Sequence, residues 1–246
     1  GCDQLGIEDP ATCVKWESVN VDFEVGLHTA FRQLFTDLNR PQQPLINGCY
    51  FHYCSAIFKK VQQLGLGTFY RSQQAPNFRK FVKYLYALAY LPIDGVFDAY
   101  QHICATKVDA QTAALVNFDA FKEYYFDTWI ADGGSYSRAE WNLFEDDDHN
   151  SNNKVEGMNN ALKNAFGSHP SMWELLLKMR SLQHNSTIME DAHTRLHDAP
   201  TVRATATVKK TEALAKAKDT FRRSPKTWDN LVALLESVYI ILVRKW

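Results

Sequence analysis

The stretch ESVNVD at residues 17–22 decides the fold class, because it alternates like a short β-strand and leads at once into a helix. Val19 and Val21 share one face of this strand, and Asp22 stands at its carboxyl end. From Val25 to Phe35 the apolar residues recur at helical spacing. We therefore predict a strand at about 17–22 that is followed directly by a helix.

A second strand is predicted at residues 45–53, where the sequence LINGCYFHY is apolar and aromatic. A helix continues from Ala56 to Leu64 and ends at Gly65. Strand, helix, strand and helix joined by short loops favour a βαβ unit with parallel strands. We expect both strands to be buried on both faces, as in layered α/β folds.

The remaining sequence is predominantly helical. Three helical stripes and no strand pattern predict an all-helical insertion, and the stripes span Phe78–Ala89, Val96–Cys104 and Phe118–Trp129. Residues 131–154 read as a loop, and helices are predicted from Val155, over Trp173–Leu182 and over Trp228–Val243. The predicted organisation has four parts. A partial α/β core at 1–70 is followed by the helical insertion and loop at 71–150. Residues 151–200 contain the helix with Glu156 and the helix after it, and residues 201–246 contain a basic segment and an apolar last helix.

Composition restricts the classes of function. The chain has 246 residues, of which 46% are hydrophobic and 13% aromatic, so it can bury a core of one large or two small domains. The formal net charge is −1, so any contact with nucleic acid depends on a local basic surface. The most apolar stretch is too short to span a bilayer, and we predict no membrane partner.

Cysteine usage and the first residues indicate the compartment. The five cysteines are an odd number without a CxxC pair, which favours a reducing, intracellular environment over a disulfide framework. No signal peptide opens the sequence. It begins with Gly1 rather than Met, and we interpret it as a fragment or a processed product.

Two acidic residues are candidates for chemistry. Asp22 stands where parallel α/β folds place ligands and catalytic groups, but it could equally cap the helix that follows. Glu156 follows Asn153 by three residues, which is the spacing of a capping box. Glu156 also shares a polar helix face with Asn160 and Lys163, and this row could face a site or solvent.

Cys49 and His52 form a C-x-x-H pair, which is half of a structural zinc site at best. On the predicted strand Cys49 could as easily be a small buried apolar residue.

The segment 203–226 has eight Lys and Arg residues against two acidic ones. This excess could contact DNA phosphates through residues such as Lys209, Lys210, Arg222 and Arg223, or it could be a solvated helix face.

Three segments in order resemble the catalytic domain of Mutator-like (MULE-type) transposases. They are Asp22-Phe23-Glu24 at a strand end, Gly48-Cys49-Tyr50-Phe51-His52, and Asn152-Asn153-Lys154-Val155-Glu156-Gly157 after a helical insertion. The family's "DFE", "GC-x-FH" and "NN-x-x-EG" motifs occur in this order. Each motif alone is weak, but the ordered set over residues 15–185 is fairly specific.

The resemblance implies a ribonuclease H-like fold in which three acidic residues hold two divalent ions, Mg²⁺ or Mn²⁺, to cut and join DNA. It assigns Asp22 as the second acid and Glu156 as the third, both catalytic metal ligands. Cys49, His52, Asn152 and Asn153 match family motif positions. DNA is the implied partner, with Lys163 and the basic segment as contacts; a nuclear location follows, and a homo-oligomer is compatible with it.

This sequence departs from the family pattern. The first acid should lie on an earlier strand, and neither Asp3 nor Asp9 stands in a strand pattern. Met158 and Asn159 replace the family's aromatic residue and histidine, and Asp146-Asp147-Asp148-His149 replaces the basic residue that often precedes the family's NN motif. Three hypotheses follow: a metal-dependent transposase seen in part or degenerate, a domesticated DNA-binding or regulatory protein without catalysis, and a helical interaction scaffold.

Overall fold

A two-stranded parallel sheet opens the part of the chain that the structure describes. The structure is a computed structural model that describes residues 18–37, 45–72, 76–146, 172–174, 176–177, 180–181 and 205–244. Strand β1 (Ser18–Val21) pairs with β2 (Leu45–Gly48) in the register Ser18 to Leu45 and Val21 to Gly48. Helix α1 (Val25–Asp37) joins the two strands, so the predicted parallel pairing is confirmed.

Helices make up most of the other described residues. After β2 they are α2 (Tyr50–Gln63), α3 (Gly67–Arg71), α4 (Pro76–Ala87), α5 (Val96–Thr106), α6 (Ala110–Ala113), α7 (Phe118–Tyr125), α8 (Arg138–Trp141), α9 (Thr205–Arg223) and α10 (Trp228–Val243). A π-helical turn, Phe126–Ile130, extends α7, and short 3₁₀ turns lie at Leu88–Tyr90 and Ile93–Gly95. The observed fold is therefore mostly helical with a small parallel sheet.

The core lies among the helices that follow the sheet. Aromatic side chains dominate it, and those without solvent exposure include Tyr53, Phe78, Phe81, Phe121, Tyr125 and Trp129. Helix α10 packs on α4 through a buried face that consists of Leu231, Leu234, Leu235 and Val238. The aromatic stripes of the insertion are thus largely enclosed, and the interaction-scaffold hypothesis loses that part of its support.

The second predicted strand is wrong beyond Gly48. The aromatic run after Gly48 forms helix α2, because Tyr53, Ile57 and Val61 recur at helical spacing and fill the core. Cys49 precedes this helix in extended conformation, and its carbonyl oxygen accepts from the amide of Tyr53 at 2.9 Å.

Burial of the strands also differs from expectation. Only Val21 in β1 and Gly48 in β2 are buried, so the two strands are not covered on both faces by described residues. Both buried residues lie at the carboxyl ends, where the helical insertion contacts the sheet through α8. The predicted loop at 131–154 contains this one-turn helix.

The chain divides into two compact units. The first consists of Gly1–Ser151 with Lys209–Trp246, and the second of Asn152–Val208. In the second unit the described residues 172–174, 176–177 and 180–181 are helical, in agreement with the helix predicted over Trp173–Leu182. No helix among the described residues has the length and apolar character to cross a membrane.

Candidate functional site

Asp22 lies immediately after β1, at the carboxyl end of the parallel pair. The amide of Cys49 donates to the carbonyl oxygen of Val21 at 2.9 Å, which holds the ends of the two strands together beside Asp22. Its Oδ1 atom is buried and accepts no hydrogen bond from any described residue. Helix α1 instead begins with the amides of Leu27 and His28 donating to the carbonyl oxygen of Glu24, so hydrogen bonding does not support Asp22 as a cap.

The backbone of this turn is held by side chains from two directions. The carbonyl oxygen of Asp22 accepts from Nε2 of His28 at 2.9 Å, and that of Phe23 accepts from the hydroxyl of Tyr136 at 2.7 Å. The Phe23 ring packs against His28 and meets Trp129 and Tyr136 edge-on, each at 4.9 Å. Asp22 is therefore placed by contacts between the sheet and the helical insertion.

A charge cluster around the buried carboxylate of Glu140 lies behind the turn. Arg32 donates to both oxygens of Glu140, at 2.9 and 2.6 Å, and the amide of Ser137 donates to Glu140 at 2.9 Å. Burial acts to raise the pKa of Glu140, but His28, Arg32 and the Ser137 amide outweigh it and lower the pKa to about 2. Glu140 is therefore ionised at neutral pH.

Sequence reasoning missed this cluster. The capping-box spacing of Ser137 and Glu140 was the one local signal for it. The ion pair of Glu140 with Arg32 joins residues 108 positions apart and has no local signature.

A cavity of about 380 Å³ opens in front of Asp22. One wall is the turn from Asp22 to Glu24, and the opposite wall is one face of α2 together with Tyr124. The α2 residues that line it are His52, Ser55, Ala56, Lys59, Lys60 and Gln63. The ammonium group of Lys60 lies 4.7 Å from the centre of the Tyr124 ring. The cavity thus combines a carboxylate, which can bind a cation, with two lysines, which can bind a phosphate.

The metal ligands implied by the resemblance are only partly within the described residues. Asp22 supplies one carboxylate oxygen that lacks a hydrogen-bond partner. Across the described ranges no three His, Cys, Asp or Glu side chains converge on a point that could hold a metal. Glu156, Lys163, Asn152 and Asn153 lie outside the described residues. The described donors fit one ligand of a metal site, and the others have to come from elsewhere in the chain or from the substrate.

The C-x-x-H pair divides between the core and the cavity. Cys49 is buried at the start of α2, whereas His52 lies on α2 and lines the cavity. Neither belongs to a metal-binding group among the described residues. The alternative in which Cys49 is a small buried apolar residue agrees with its burial.

The basic segment is partly used to hold the fold. Lys218 is fully buried and donates to the carbonyl oxygens of Leu143 and Asp146, at 3.2 and 2.7 Å. Arg222 donates to the carbonyl oxygen of Phe144, and Arg223 pairs with Asp219. Helix α9 therefore anchors the residues after α8.

Two other lysines of the basic segment were predicted DNA contacts. Lys209 is exposed, and Lys210 is half-buried with its pKa lowered by that burial.

A larger cavity of about 650 Å³ lies between the 3₁₀ turn at Ile93–Gly95 and the start of α10. Trp228, Phe221 and Phe144 line it together with acidic and basic side chains. Arg222, one of the predicted DNA contacts, lines this cavity and is already bonded to Phe144 and Glu145.

Comparisons with protein-family models, with curated proteins and with solved structures found no match to this chain. The candidate site therefore depends on its own geometry and on the motif resemblance.

Proposed function

We propose that this chain carries part of the catalytic core of a MULE-type transposase with a ribonuclease H-like arrangement, which cleaves and joins DNA strands with Mg²⁺ or Mn²⁺. One observation supports the proposal most directly. A carboxylate with an unpartnered, buried oxygen stands at the end of a parallel strand and faces a cavity whose other wall contains two lysines. The resemblance of the ordered motifs supplies the reaction class.

The roles follow from the chemistry of phosphodiester cleavage. A divalent ion activates the attacking oxygen or stabilises the leaving oxygen, and Asp22 would hold such an ion through its unpartnered carboxylate oxygen. Lys59 and Lys60 would neutralise the phosphate backbone across the cavity. Glu156 is the second proposed ligand by motif.

The test of catalysis uses the full-length protein that contains this chain, because the motifs here supply only the second and third acids, together with labelled duplex DNA and Mg²⁺ or Mn²⁺. We expect strand cleavage in the wild type and its loss in Asp22→Asn and in Glu156→Gln. Asp98→Asn is the matched control, since its exposed carboxylate lines the other cavity, and it should cleave like the wild type. Cleavage that survives both Asp22→Asn and Glu156→Gln would contradict the proposal.

The test of DNA contact uses the double variant Lys59→Ala, Lys60→Ala. Each lost phosphate contact should lower the slope of log affinity against log salt by about 0.9, so we expect a reduction of roughly two. The comparison variant is Lys209→Ala, Lys216→Ala on α9, where both lysines are exposed and form no ion pair with a described residue, and it measures the separate contribution of the basic segment to this slope.

A second candidate is a non-catalytic DNA-binding or regulatory protein. The exposed lysines Lys209 and Lys216 favour it, because they remain available while Lys218 and Arg222 hold the fold. Metal-independent binding that is lost in the α9 double variant and retained in the α2 double variant would support this candidate over the first.

A further inference from the structure

The imidazole of His28 is the only described side chain that contacts the backbone of Asp22 through a hydrogen bond. His28 has no solvent exposure, and its Nε2 atom lies 2.9 Å from the carbonyl oxygen of Asp22. A carbonyl oxygen only accepts, so Nε2 carries a proton and donates. This contact fixes the peptide group that follows Asp22.

The ring of His28 is itself held on every side by described residues. Phe23 stacks on it at 5.6 Å between centroids, and Tyr136 meets it edge-on at 4.9 Å. Its Nδ1 atom faces Oε1 of Glu140 at 3.7 Å. Arg32 and the Ser137 amide in turn hold Glu140 in place, so the imidazole is packed between Phe23, Tyr136 and a fixed carboxylate.

We propose that His28 is a positioning residue for Asp22. Its hydrogen bond to the backbone carbonyl oxygen of Asp22 fixes the backbone from which the carboxylate side chain projects. The inference rests on the proposed function, in which Asp22 is a metal ligand. The buried Oδ1 atom of Asp22 receives no hydrogen bond from a described residue, so the direction of the carboxylate depends on its backbone. A ligand that is oriented only through its backbone loses affinity when that backbone is free to turn.

Residues that orient metal ligands without touching the metal typically change metal affinity by about 10- to 100-fold when they are replaced. A residue that merely stabilises the fold would lower the melting temperature without changing the affinity of the folded protein. Metal affinity and thermal stability, measured on the same variants, therefore separate the two roles.

The experiment titrates Mn²⁺ into the isotope-labelled full chain and follows paramagnetic broadening of the backbone amides of Phe23 and Cys49. Thermal melting is recorded in parallel. His28→Leu fills similar space without a donor, and we expect Mn²⁺ to bind about tenfold more weakly. His28→Gln places an amide donor near the Nε2 position and should restore binding to within about threefold of the wild type. Should His28→Leu fail to fold, His28→Asn keeps a polar side chain that is too short to reach, and it should show the same loss.

Tyr84→Phe is the matched control, because it removes one hydrogen bond, to Glu236, from another part of the same unit. It should lower stability and leave Mn²⁺ affinity unchanged. His28→Leu with wild-type affinity overturns the positioning role alone. A wild type without broadening, or broadening that survives Asp22→Asn, overturns the metal site and this inference with it.

Discussion

The ring of Phe23 occupies the space in which Gly48 would carry a side chain. A methyl group built on Gly48 would lie 2.0 Å from Cζ of Phe23 and 2.5 Å from Cε1. The ends of β1 and β2 therefore approach closely only because residue 48 is glycine. This packing brings the Asp22 turn against the start of α2 and so forms the two walls of the cavity.

Gly48→Ala should displace the Phe23 ring and destabilise the first unit. Overpacking a well-filled site costs about 1–3 kcal/mol, and we expect the free energy of unfolding to fall by that amount in urea titrations. The displaced ring should also weaken the packing of His28 and Tyr136 around the turn.

Gly26→Ala is the control for that change, since a methyl group there meets no atom within 4 Å. Gly26 lies inside α1, where alanine is favoured over glycine by up to about 1 kcal/mol. Its stability should be unchanged or higher. Equal losses in the two variants would refute the role of the Phe23 contact.

The depressed pKa of Glu140 predicts a loss of stability in acid. Its folded-state pKa of about 2 lies below the ordinary 4.5, so the unfolded chain binds a proton that the folded chain excludes. The stabilisation is present above about pH 4.5 and is lost as pH falls towards 2. Asp109 has a pKa of about 2 through hydrogen bonds from Thr112 and Asn77, and it contributes to the wild-type slope over the same window.

The variant Glu140→Gln isolates the contribution of the Glu140 carboxylate to this loss of stability in acid. We expect this variant to be less stable than the wild type at pH 7, with a difference that narrows as the pH approaches 2 in urea titrations. Glu123→Gln, at an exposed position on α7, should give a curve parallel to the wild type. If the free energies of unfolding of the wild type and Glu140→Gln differ by the same amount throughout this pH window, protonation of the Glu140 carboxylate does not affect stability.

The parts of the fold that sequence predicted were those with local signals. The apolar spacing of α1 and α10 and the strand before Asp22 each lie within one element, and the structure has them where the pattern placed them. Only the first turn of helix α2 differs from the prediction, which extends the strand over Tyr50, Phe51 and Tyr53 because aromatic residues are typical of strands. The helical spacing of Tyr53, Ile57 and Val61 was the stronger signal, and tertiary burial decided the outcome.

The candidate site could be predicted only as far as Asp22. The sequence pattern predicts that Asp22 follows a strand, whereas the residues around Asp22 come from distant parts of the sequence. Tyr136 reaches the turn, and Glu140 reaches His28 and Arg32 behind it, from the end of the helical insertion more than a hundred positions along the chain. Such contacts depend on how the insertion packs, which no local pattern encodes.

The paired hydroxyls of Tyr53 and Tyr125 predict a coupled loss of stability. The two oxygens lie 2.6 Å apart in the core, and both hydroxyls contact the carbonyl oxygen of Leu85, at 2.9 and 3.3 Å. Tyr53→Phe should lower the free energy of unfolding by about 1–2 kcal/mol. The two hydroxyls bond to each other and to the same carbonyl oxygen. The double variant should therefore lose less free energy of unfolding than the sum of the two single losses.

A double-mutant cycle in urea measures this coupling. Tyr239→Phe is the control, because its ring stacks on Tyr84 and its hydroxyl bonds to no described residue. It should change stability by less than about 0.5 kcal/mol. Additive losses at Tyr53 and Tyr125 would show that the two hydroxyls act independently.

Burial predicts that the thiol of Cys54 is unreactive in the folded protein. Burial raises the pKa of Cys54 to about 12, and the hydrogen bond with Tyr50 and the positive charge of Lys83 offset only part of this. Because the thiolate is the nucleophile, the raised pKa leaves very little reactive thiolate at pH 8. Iodoacetamide labelling followed by peptide mass spectrometry should therefore modify Cys54 slowly in buffer and quickly in urea. Rapid modification of Cys54 in buffer, at the rate seen in urea, would show that the thiol is neither enclosed nor held protonated by the packing of α2.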